Sequence, residues 1–451
     1  MTAHELAIDI TKTLHRAGQA AYLAGGCVRD MLLGREPKDF DVVTDAPPGR
    51  VRELFSDALA VGAQFGVMLV RREGVQVEIA TFRSDHAYLD GRRPSGVTFT
   101  SSAEQAVRRR DFTINGLLLD PASGQVLDLV GGRADLEARL VRAIGDPAER
   151  FAEDRLRMLR AIRFAARFGF AIEPATLAAI QQQRAAIDGV ATERVREELV
   201  RILTEGGARR GMELLDEAGL LARLLPEICA MKGVPQPPEF HPEGDVWIHT
   251  LLMLEMLREP SPTLALGVLL HDVGKPPTFR VAERIRFDGH VEVGAKMAEE
   301  ICTRLRFSRR QIDQIVALVA NHLRFKDADR MRPSTLKRFL RLEAFEEHLE
   351  LHRLDCLSSH RNLENYEVVL RAWRSLPEEE IRPARLLTGD DLIAAGYQPG
   401  PLFQKMLETV EEAQLEGRIT SSAEALALVR AQFPAGAAEG PGSSTGGEDH
   451  P

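Results

Sequence analysis

At 451 residues and 44% hydrophobic, the chain is too long for one ordinary core and predicts roughly three domains. Its opening Met1-Thr2-Ala3-His4-Glu5 lacks the basic start and apolar stretch of a signal peptide, no apolar run approaches the roughly 18 residues of a membrane span, and Cys27, Cys229, Cys302 and Cys356 are scattered without C-x-x-C spacing. These features exclude a membrane partner, a disulfide framework and a zinc knuckle and predict a cytoplasmic protein; the net charge of −9 weighs against a nucleic-acid partner unless Lys and Arg cluster locally.

Residues 1 to about 135 mix helix and strand. An opening helix, Glu5 to Gly18, precedes an apolar run, Ala20 to Ala24. Gly25-Gly26 then allows a tight turn whose following amides can point at an anion, and Cys27 to Leu33 reads as a short helix stopped by Gly34. Pro37 sets a turn before Phe40 to Val43, which has strand character. Side chains at i and i+2 of a strand share a face, so Asp39 and Asp41 are expected side by side with Phe40 in the core. Two carboxylates beside a phosphate-binding turn suit Mg²⁺, and in-line attack on a nucleoside triphosphate requires that combination. The arrangement Gly25-Gly26-x-Val28-Arg29-Asp30-x-x-Leu33-Gly34 followed by Asp39-x-Asp41 resembles the head of the class II tRNA nucleotidyltransferase and bacterial poly(A) polymerase family.

Val67 to Arg71 and Val75 to Phe82 read as strands joined at Glu73-Gly74. Glu78, in the second strand, either faces solvent or adds a third carboxylate to the metal site; the resemblance implies the site. The polar stretch Arg83 to Ser101 lacks periodicity and reads as disordered or as a mobile functional loop, and in the resembling family a loop here moves during synthesis. Arg109-Arg110-Asp111-Phe112-Thr113-Ile114-Asn115 leads into a strand, Gly116 to Leu119. Arg offers a planar fork to phosphate, and Asp and Asn can bond a ribose hydroxyl. This segment matches the family's second motif, with Ala106 where an acidic residue is expected and Gly116 where Ala is usual. The resemblance implies that Asp39, Asp41 and Glu78 are catalytic and that Gly26, Arg29, Arg110, Asp111 and Asn115 bind nucleotide.

From about 136 to 235 the pattern is helical. Asp154, Arg157, Arg160 and Arg163 recur every three residues, each turned about 60° from the last and lifted roughly 4.5 Å along a helix. They predict a slanting polar ridge, with Met158, Ile162 and Ala165 as the core stripe. On the residues alone this is a solvated helix of i,i+3 ion pairs; in its place after the head motifs it resembles the family's nucleotide-selecting motif. Thr192 is an N-cap candidate for another helix, and Pro235-Gln236-Pro237-Pro238 marks a linker.

Beyond the linker lie His249, Leu269-Leu270-His271-Asp272-Val273-Gly274-Lys275-Pro276, His290, His322 and Asp355. Adjacent His and Asp at the end of an apolar helix need one His and one Asp from neighbouring helices to finish a metal site. The constellation resembles the HD phosphohydrolase superfamily. That implies His249, His271, Asp272 and Asp355 as ligands of a divalent metal, Ni²⁺, Mn²⁺ or Mg²⁺, with His290 and His322 able to complete a second site; the alternative is a helical scaffold with hydrogen-bonded histidines. Residues 301 to 341 carry eleven Lys or Arg against three Asp, an RNA track or a solvated face. In the helical tail, 387 to 430, Leu387-Thr388-Gly389-Asp390-Asp391-Leu392 and Gly396-Tyr397-Gln398-Pro399-Gly400-Pro401 resemble the family's tRNA-grasping end, with Phe403 where a small residue is expected. Gly, Ser, Pro and acidic residues from Ala435 to Pro451 predict disorder.

The resemblance runs from about residue 20 to 430. It implies an α+β protein, with a small mixed β-sheet nucleotidyltransferase head (1–135) followed by all-helical neck (136–235), HD (240–365) and tail (366–434) domains. It implies addition of C, C and A from CTP and ATP to tRNA by two-metal nucleotidyl transfer with release of pyrophosphate, with Mg²⁺ in the head and no obligatory protein partner. Alternatives are a poly(A) polymerase or A-adding enzyme of the same family, an HD phosphohydrolase acting on RNA ends or nucleotides, and a non-enzymatic RNA-binding protein.

Overall fold

The computed structural model describes residues 1–85, 96–239 and 241–434. The centre of the polar loop, 86–95, and the end expected to be disordered, 435–451, lie outside the described residues. The chain forms two compact units, the first containing Met1–Ala320 with Ser358–His360 and the second Asn321–Leu357 and the chain from Arg361 onward. No helix among the described residues is long and apolar enough to cross a membrane.

The first unit opens with a helix, Ala3–Arg16, started by a reciprocal capping box between Thr2 and Glu5. Leu6, Ile10 and Leu14 share one face of it and are fully buried. Nine strands follow: β1 (Ala21–Ala24), β2 (Asp41–Thr44), β3 (Ala58–Gly62), β4 (Val67–Arg72), β5 (Val75–Thr81), β6 (Arg83–Asp85), β7 (Val97–Phe99), β8 (Leu117–Leu119) and β9 (Val126–Asp128). Seven of them make one sheet in the order β3-β4-β5-β2-β1-β8-β9. It is mixed, because β2 and β5 run parallel while β1 is antiparallel to both β2 and β8. The ends of the polar loop are not irregular: β6 pairs antiparallel with β7, Arg83 opposite Phe99. At the β4–β5 turn Glu73 and Gly74 both have positive φ, 51° and 81°, the backbone a tight hairpin needs. Gly116 sits too close to its neighbours for a side chain, since a Cβ there would come within 2.6 Å of Val130 Cγ2.

After the sheet the architecture is helical except for two short two-stranded ladders in regions expected to be all-helical, Leu140–Val141 with Ala171–Ile172 and Arg280–Val281 with Ile285–Arg286, so the protein is α+β. The expected single ridge is interrupted. Helices Pro147–Glu153 and Arg157–Phe168 flank Asp154, which is extended (φ −142°, ψ 102°) and accepts from Leu156 N at 3.2 Å. A short acidic side chain competes for local N–H donors and ends one helix while shaping the turn into the next, so Asp154 does not share a helix face with Arg157. Thr192 is the first helical residue rather than the cap, which is Ala191.

The second unit holds two apolar clusters, one around Phe325, Phe339, Phe345 and Val369, the other around Leu392, Met406, Val410 and Val429. Phe403 packs against the latter, so the large residue at an expected small position fills core space. Several of the basic residues are paired with acids from elsewhere in the sequence. In the first unit Arg304 pairs with Glu227, Arg306 with Glu193 and Arg309 with Glu299. In the second, Lys337 pairs with Glu380, and Arg338 and Arg341 share Glu411.

Candidate active site

β1 ends at Ala24, and Gly25 (φ 77°, ψ −125°) turns the chain into the helix Gly26–Leu32. Only glycine fits, because its φ is positive and a Cβ would collide with the Arg110 guanidinium. Arg110 lies across the turn and donates from Nη1 to the Asn115 carbonyl at 3.3 Å. Beside it, Asp41 of β2 is the register partner of Glu78 on β5, so the two carboxylates leave the sheet on one face. The Asp41 carboxyl is raised from its ordinary value, chiefly by burial; Arg110 opposes that rise, while Glu78 and Asp39 add to it by like-charge repulsion. Asp39 precedes the strand instead of belonging to it and is exposed, as is Glu78, while Phe40 between the two aspartates is buried. Asp41 with Glu78 and Asp39 acting on it, next to a cation and a helix start, offers the oxygen donors Mg²⁺ prefers.

Behind this face runs a buried chain of polar contacts. Arg29 donates from Nε and Nη2 to Asp30 Oδ1, at 2.8 and 2.7 Å, and from Nη1 to Asn115 Oδ1. Its guanidinium also covers the rings of Phe164 and Phe168, at 5.1 and 4.6 Å from their centroids. Asn115 Nδ2 donates to Asp111 Oδ1 at 3.0 Å, and Arg160 donates to Asp111 Oδ2 from Nε at 2.9 Å and Nη2 at 2.6 Å. Burial alone would raise the Asp111 carboxyl, but Arg160, the Asn115 amide and the Phe112 N–H hold it well below the usual carboxylate range. Arg29, Asp111 and Asn115, expected at the nucleotide, are thus engaged with one another and with the neck, and Arg110 is the motif cation beside the carboxylates.

The neck residues have partners the sequence did not suggest. Arg157 donates from Nη1 to Glu153 Oε2 at 2.7 Å and to the Arg150 carbonyl, and from Nη2 to the Arg109 carbonyl, both at 3.1 Å. Asp154 is clamped by Arg194, whose Nη1 and Nη2 reach its two oxygens at 3.2 and 2.9 Å. Arg163 bonds Glu198 at 2.7 Å and Glu205 at 3.2 Å. Phe164, Phe168, Arg194 and Glu198 were therefore missed, and nothing in their local spacing marks them; Asp30 lies in the head motif, but no role was assigned to it.

A second polar centre in the first unit is built on the helices Val246–Met256 and Pro262–Leu270. From Leu264 to Leu270 the latter is buried all round, and it delivers His271 and Asp272 at its carboxyl end. His271 places Nδ1 2.8 Å from the Val268 carbonyl and Nε2 3.1 Å from Asp272 Oδ2. A carbonyl only accepts, so His271 Nδ1 is the donor of that bond and Nε2 is turned toward the Asp272 carboxylate. Lys275 Nζ is 2.6 Å from Asp272 Oδ2 and 2.6 Å from Gln236 Oε1, and His290 Nε2 lies 3.8 Å from Asp272 Oδ1. Gln236, from the supposed linker, is thus a buried part of this centre. His249 bonds Glu243, whose carboxyl is pulled down to about 2 against the effect of burial by its hydrogen bonds from His241 and His249. Asp355 and His322 belong to the second unit. Imidazole nitrogens with one carboxylate are a donor set that suits a divalent transition metal.

Three family models match the chain: the poly A polymerase head domain over residues 21–142, the probable RNA and SrmB-binding site of polymerase A over 169–232, and the HD domain over 246–380. A CCA-adding enzyme of Levilactobacillus brevis is 32% identical over 424 residues, covering 94% of this chain and 96% of the relative. A multifunctional CCA protein of Halorhodospira halophila is 38% identical over 361 residues, 75% of this chain and 83% of the relative. The crystal structure of the Bacillus stearothermophilus CCA-adding enzyme in complex with CTP superposes with a TM-score of 0.72 at 26% identity, covering 94% of this chain and 96% of that one.

Proposed function

The chain belongs to the CCA-adding enzyme family, and from that membership we propose that it adds C, C and A from CTP and ATP to the 3′ end of tRNA. It is a template-independent RNA nucleotidyltransferase. The RNA 3′-oxygen attacks the α-phosphate in line, its proton is lost to solvent or a carboxylate, the bond to the bridging oxygen breaks and pyrophosphate leaves. Asp39, Asp41 and Glu78 would hold two Mg²⁺. Bound there, the ions activate the hydroxyl and neutralise charge on the departing pyrophosphate. Arg110 and the Gly26 amide hold the triphosphate, while Arg29, Asp111, Asn115 and Arg160 fix the relation of that turn to the neck. Asp154 and Arg157 read the base, with Arg160 and Arg163 as their support. The head occupies 1–135, the neck 136–235, the HD domain 240–365 and the tail 366–434.

The observation that carries this reading is the pairing of Asp41 with Glu78 beside the Gly25 turn and Arg110. Its test uses tRNA ending at the discriminator base, incubated with CTP alone, ATP alone or both, followed by 3′-end sequencing. CC, no addition and CCA are the expected ends. Long A tracts from ATP alone would replace this reading with poly(A) polymerase, and A added only to tRNA already ending in CC would mean an A-adding enzyme.

A second activity is favoured by the gathering of His249, His271, Asp272 and His290. We infer a divalent-metal phosphohydrolase there, acting on phosphate esters of RNA ends or nucleotides. His271→Ala with Asp272→Ala should remove metal-dependent phosphatase activity and spare CCA addition; absence of such activity in the unmodified chain with Ni²⁺, Mn²⁺ and Mg²⁺ would leave the domain a scaffold.

A further inference from the structure

The start of the helix Val246–Met256 is tied to Gly233 through the two carboxylate oxygens of Asp245. Its Oδ1 accepts from Ile248 N at 2.8 Å as the helix cap, and its Oδ2 accepts from Gly233 N at 2.6 Å. Within that closed segment a single oxygen, Glu243 Oε1, is shared by two imidazoles: His249 Nδ1 at 2.7 Å and His241 Nδ1 at 2.9 Å. The Glu243 side chain is 7% exposed, and its other oxygen, Oε2, is buried without a hydrogen-bond partner. An ionised carboxylate can only accept, so both Nδ1 atoms carry protons and both rings keep their lone pairs on Nε2. Ser358 Oγ, 3.4 Å from the same His249 Nδ1, is the longer and weaker partner. The three rings gather, with centroids 4.9 Å apart for His241 and His249 and 5.4 Å for His249 and His271. His241, Glu243 and His249 thus form one compact hydrogen-bonded group, with the Glu243 oxygen between the two rings.

We infer that Glu243 is a positioning residue of this metal site, orienting the His249 ligand, and that His241 is a further imidazole donor at it, a role the motifs assign to neither residue. The inference rests on the proposed binding of a divalent metal by His249, His271 and Asp272. A carboxylate behind a ligating imidazole locks its ring and tautomer and raises its basicity. With His241 added, the first unit offers a third imidazole beside those of His249 and His271, a nitrogen-rich set that favours a borderline ion over Mg²⁺.

The test titrates EDTA-washed full-length protein in an Asp41→Ala background, which silences the proposed head metal site, with Co²⁺, followed by its visible bands, and with Mg²⁺, followed by calorimetry, comparing Glu243→Gln and His241→Asn with the otherwise unmodified chain; nucleotide incorporation is read on the same substitutions with Asp41 intact. Glu243→Gln keeps the size and one acceptor but loses the charge, and it should weaken Co²⁺ roughly 10- to 100-fold. His241→Asn should weaken Co²⁺ as well and change the intensity of its bands, because a nitrogen donor leaves the ion. Mg²⁺ affinity should move by less than about threefold in either variant, since Mg²⁺ gains little from imidazole. CTP incorporation into tRNA, which uses the head, should be unchanged and certifies folding. Equal losses for both ions would mean that the two residues only prop up the segment, and unchanged Co²⁺ affinity would overturn the inference while leaving metal binding in place. An otherwise unmodified chain that binds no Co²⁺ would remove the metal reading and this inference together.

Discussion

Asp41 and Glu78 are register partners across the parallel strands β2 and β5, and their carboxylates share one face of the sheet. Their repulsion, with Asp39 adding to it, would be relieved by a divalent cation held among them. Asp41→Ala should lower CTP incorporation by roughly a hundredfold to ten-thousandfold, the scale of a lost metal contact at the transition state. Glu78→Gln keeps the shape but removes one charge, so its deficit should shrink as Mg²⁺ is raised, while that of Asp41→Ala should not. A Glu78→Gln enzyme with wild-type Mg²⁺ dependence would place Glu78 outside the site.

How far this centre was legible follows from periodicity. Strand parity put Asp39 and Asp41 on one face and left Glu78 open, and only the parallel register of β2 with β5 brings Glu78 opposite Asp41. Arg29 was not legible as an enclosed cation, because the rings that cover it, Phe164 and Phe168, lie far along the chain. The break at Asp154 was hidden for the opposite reason: a three-residue repeat of charges continues straight through a bend that a single side-chain hydrogen bond creates. Net charge over the window 301–341 did not show which of its cations are paired, because carboxylates such as Glu227, Glu380 and Glu411 come from distant segments. Glu243 carried no signal except its place between two histidines.

Buried Asp111 and half-buried Arg160 form a link between head and neck. Asp111→Asn leaves the guanidinium only the more distant Glu198, at 3.9 Å, and should destabilise the first unit by about 1–3 kcal/mol at pH 7, less than a fully buried pair because Arg160 is partly solvated. The native carboxyl titrates below its ordinary value, so its contribution is fully present above the unfolded pKa near 3.9 and is lost as pH falls through the lower folded value. Thermal unfolding at pH 7 and at decreasing pH measures this, and the gap between variant and wild type should narrow only in the acid range. A gap that is absent at pH 7 would mean the link is not part of the stability of the head.

His348 sits in the second unit, 1% exposed, with both ring nitrogens buried and without hydrogen-bond partners. Burial, helped by the nearby Arg324 guanidinium, pushes it from the usual 6.5 down to about 4. The folded ring stays neutral while the unfolded ring takes up a proton below 6.5, so folding stability is whole above that pH and falls progressively toward pH 4, by about 3 kcal/mol in all. His348→Leu removes the titrating group and should flatten this loss. Amide exchange of the helix Phe345–Ser358 between pH 7 and 4.5 reads it directly; the same pH dependence in both proteins would show that the protonated ring is tolerated.

Base selection is where the structure most changes the expectation. Cytosine and adenine present an amino donor beside a bare ring nitrogen, and uracil and guanine present the reverse, so an acceptor-only Asp154 and a donor-only Arg157 are complementary to the first pair. In the structure neither faces the other: Asp154 is gripped by Arg194 and Arg157 by Glu153 and two carbonyls. A carboxylate has lone pairs enough to keep one contact to Arg194 while the other oxygen accepts from a base, and the clamp then aims Asp154. On that account Arg194→Ala, which never touches the base, should raise UTP or GTP use relative to CTP in the same direction as Asp154→Ala. Adding Arg194→Ala to Asp154→Ala should cost little more, because the two act as a unit. Arg157→Ala should relax selection independently, since its partners are separate. Single-turnover incorporation of each of the four nucleotides into tRNA ending at the discriminator base decides it. If Arg194→Ala slows all four nucleotides equally while Asp154→Ala alters their ratio, the clamp supports the fold of the neck and does not aim the base-reading carboxylate.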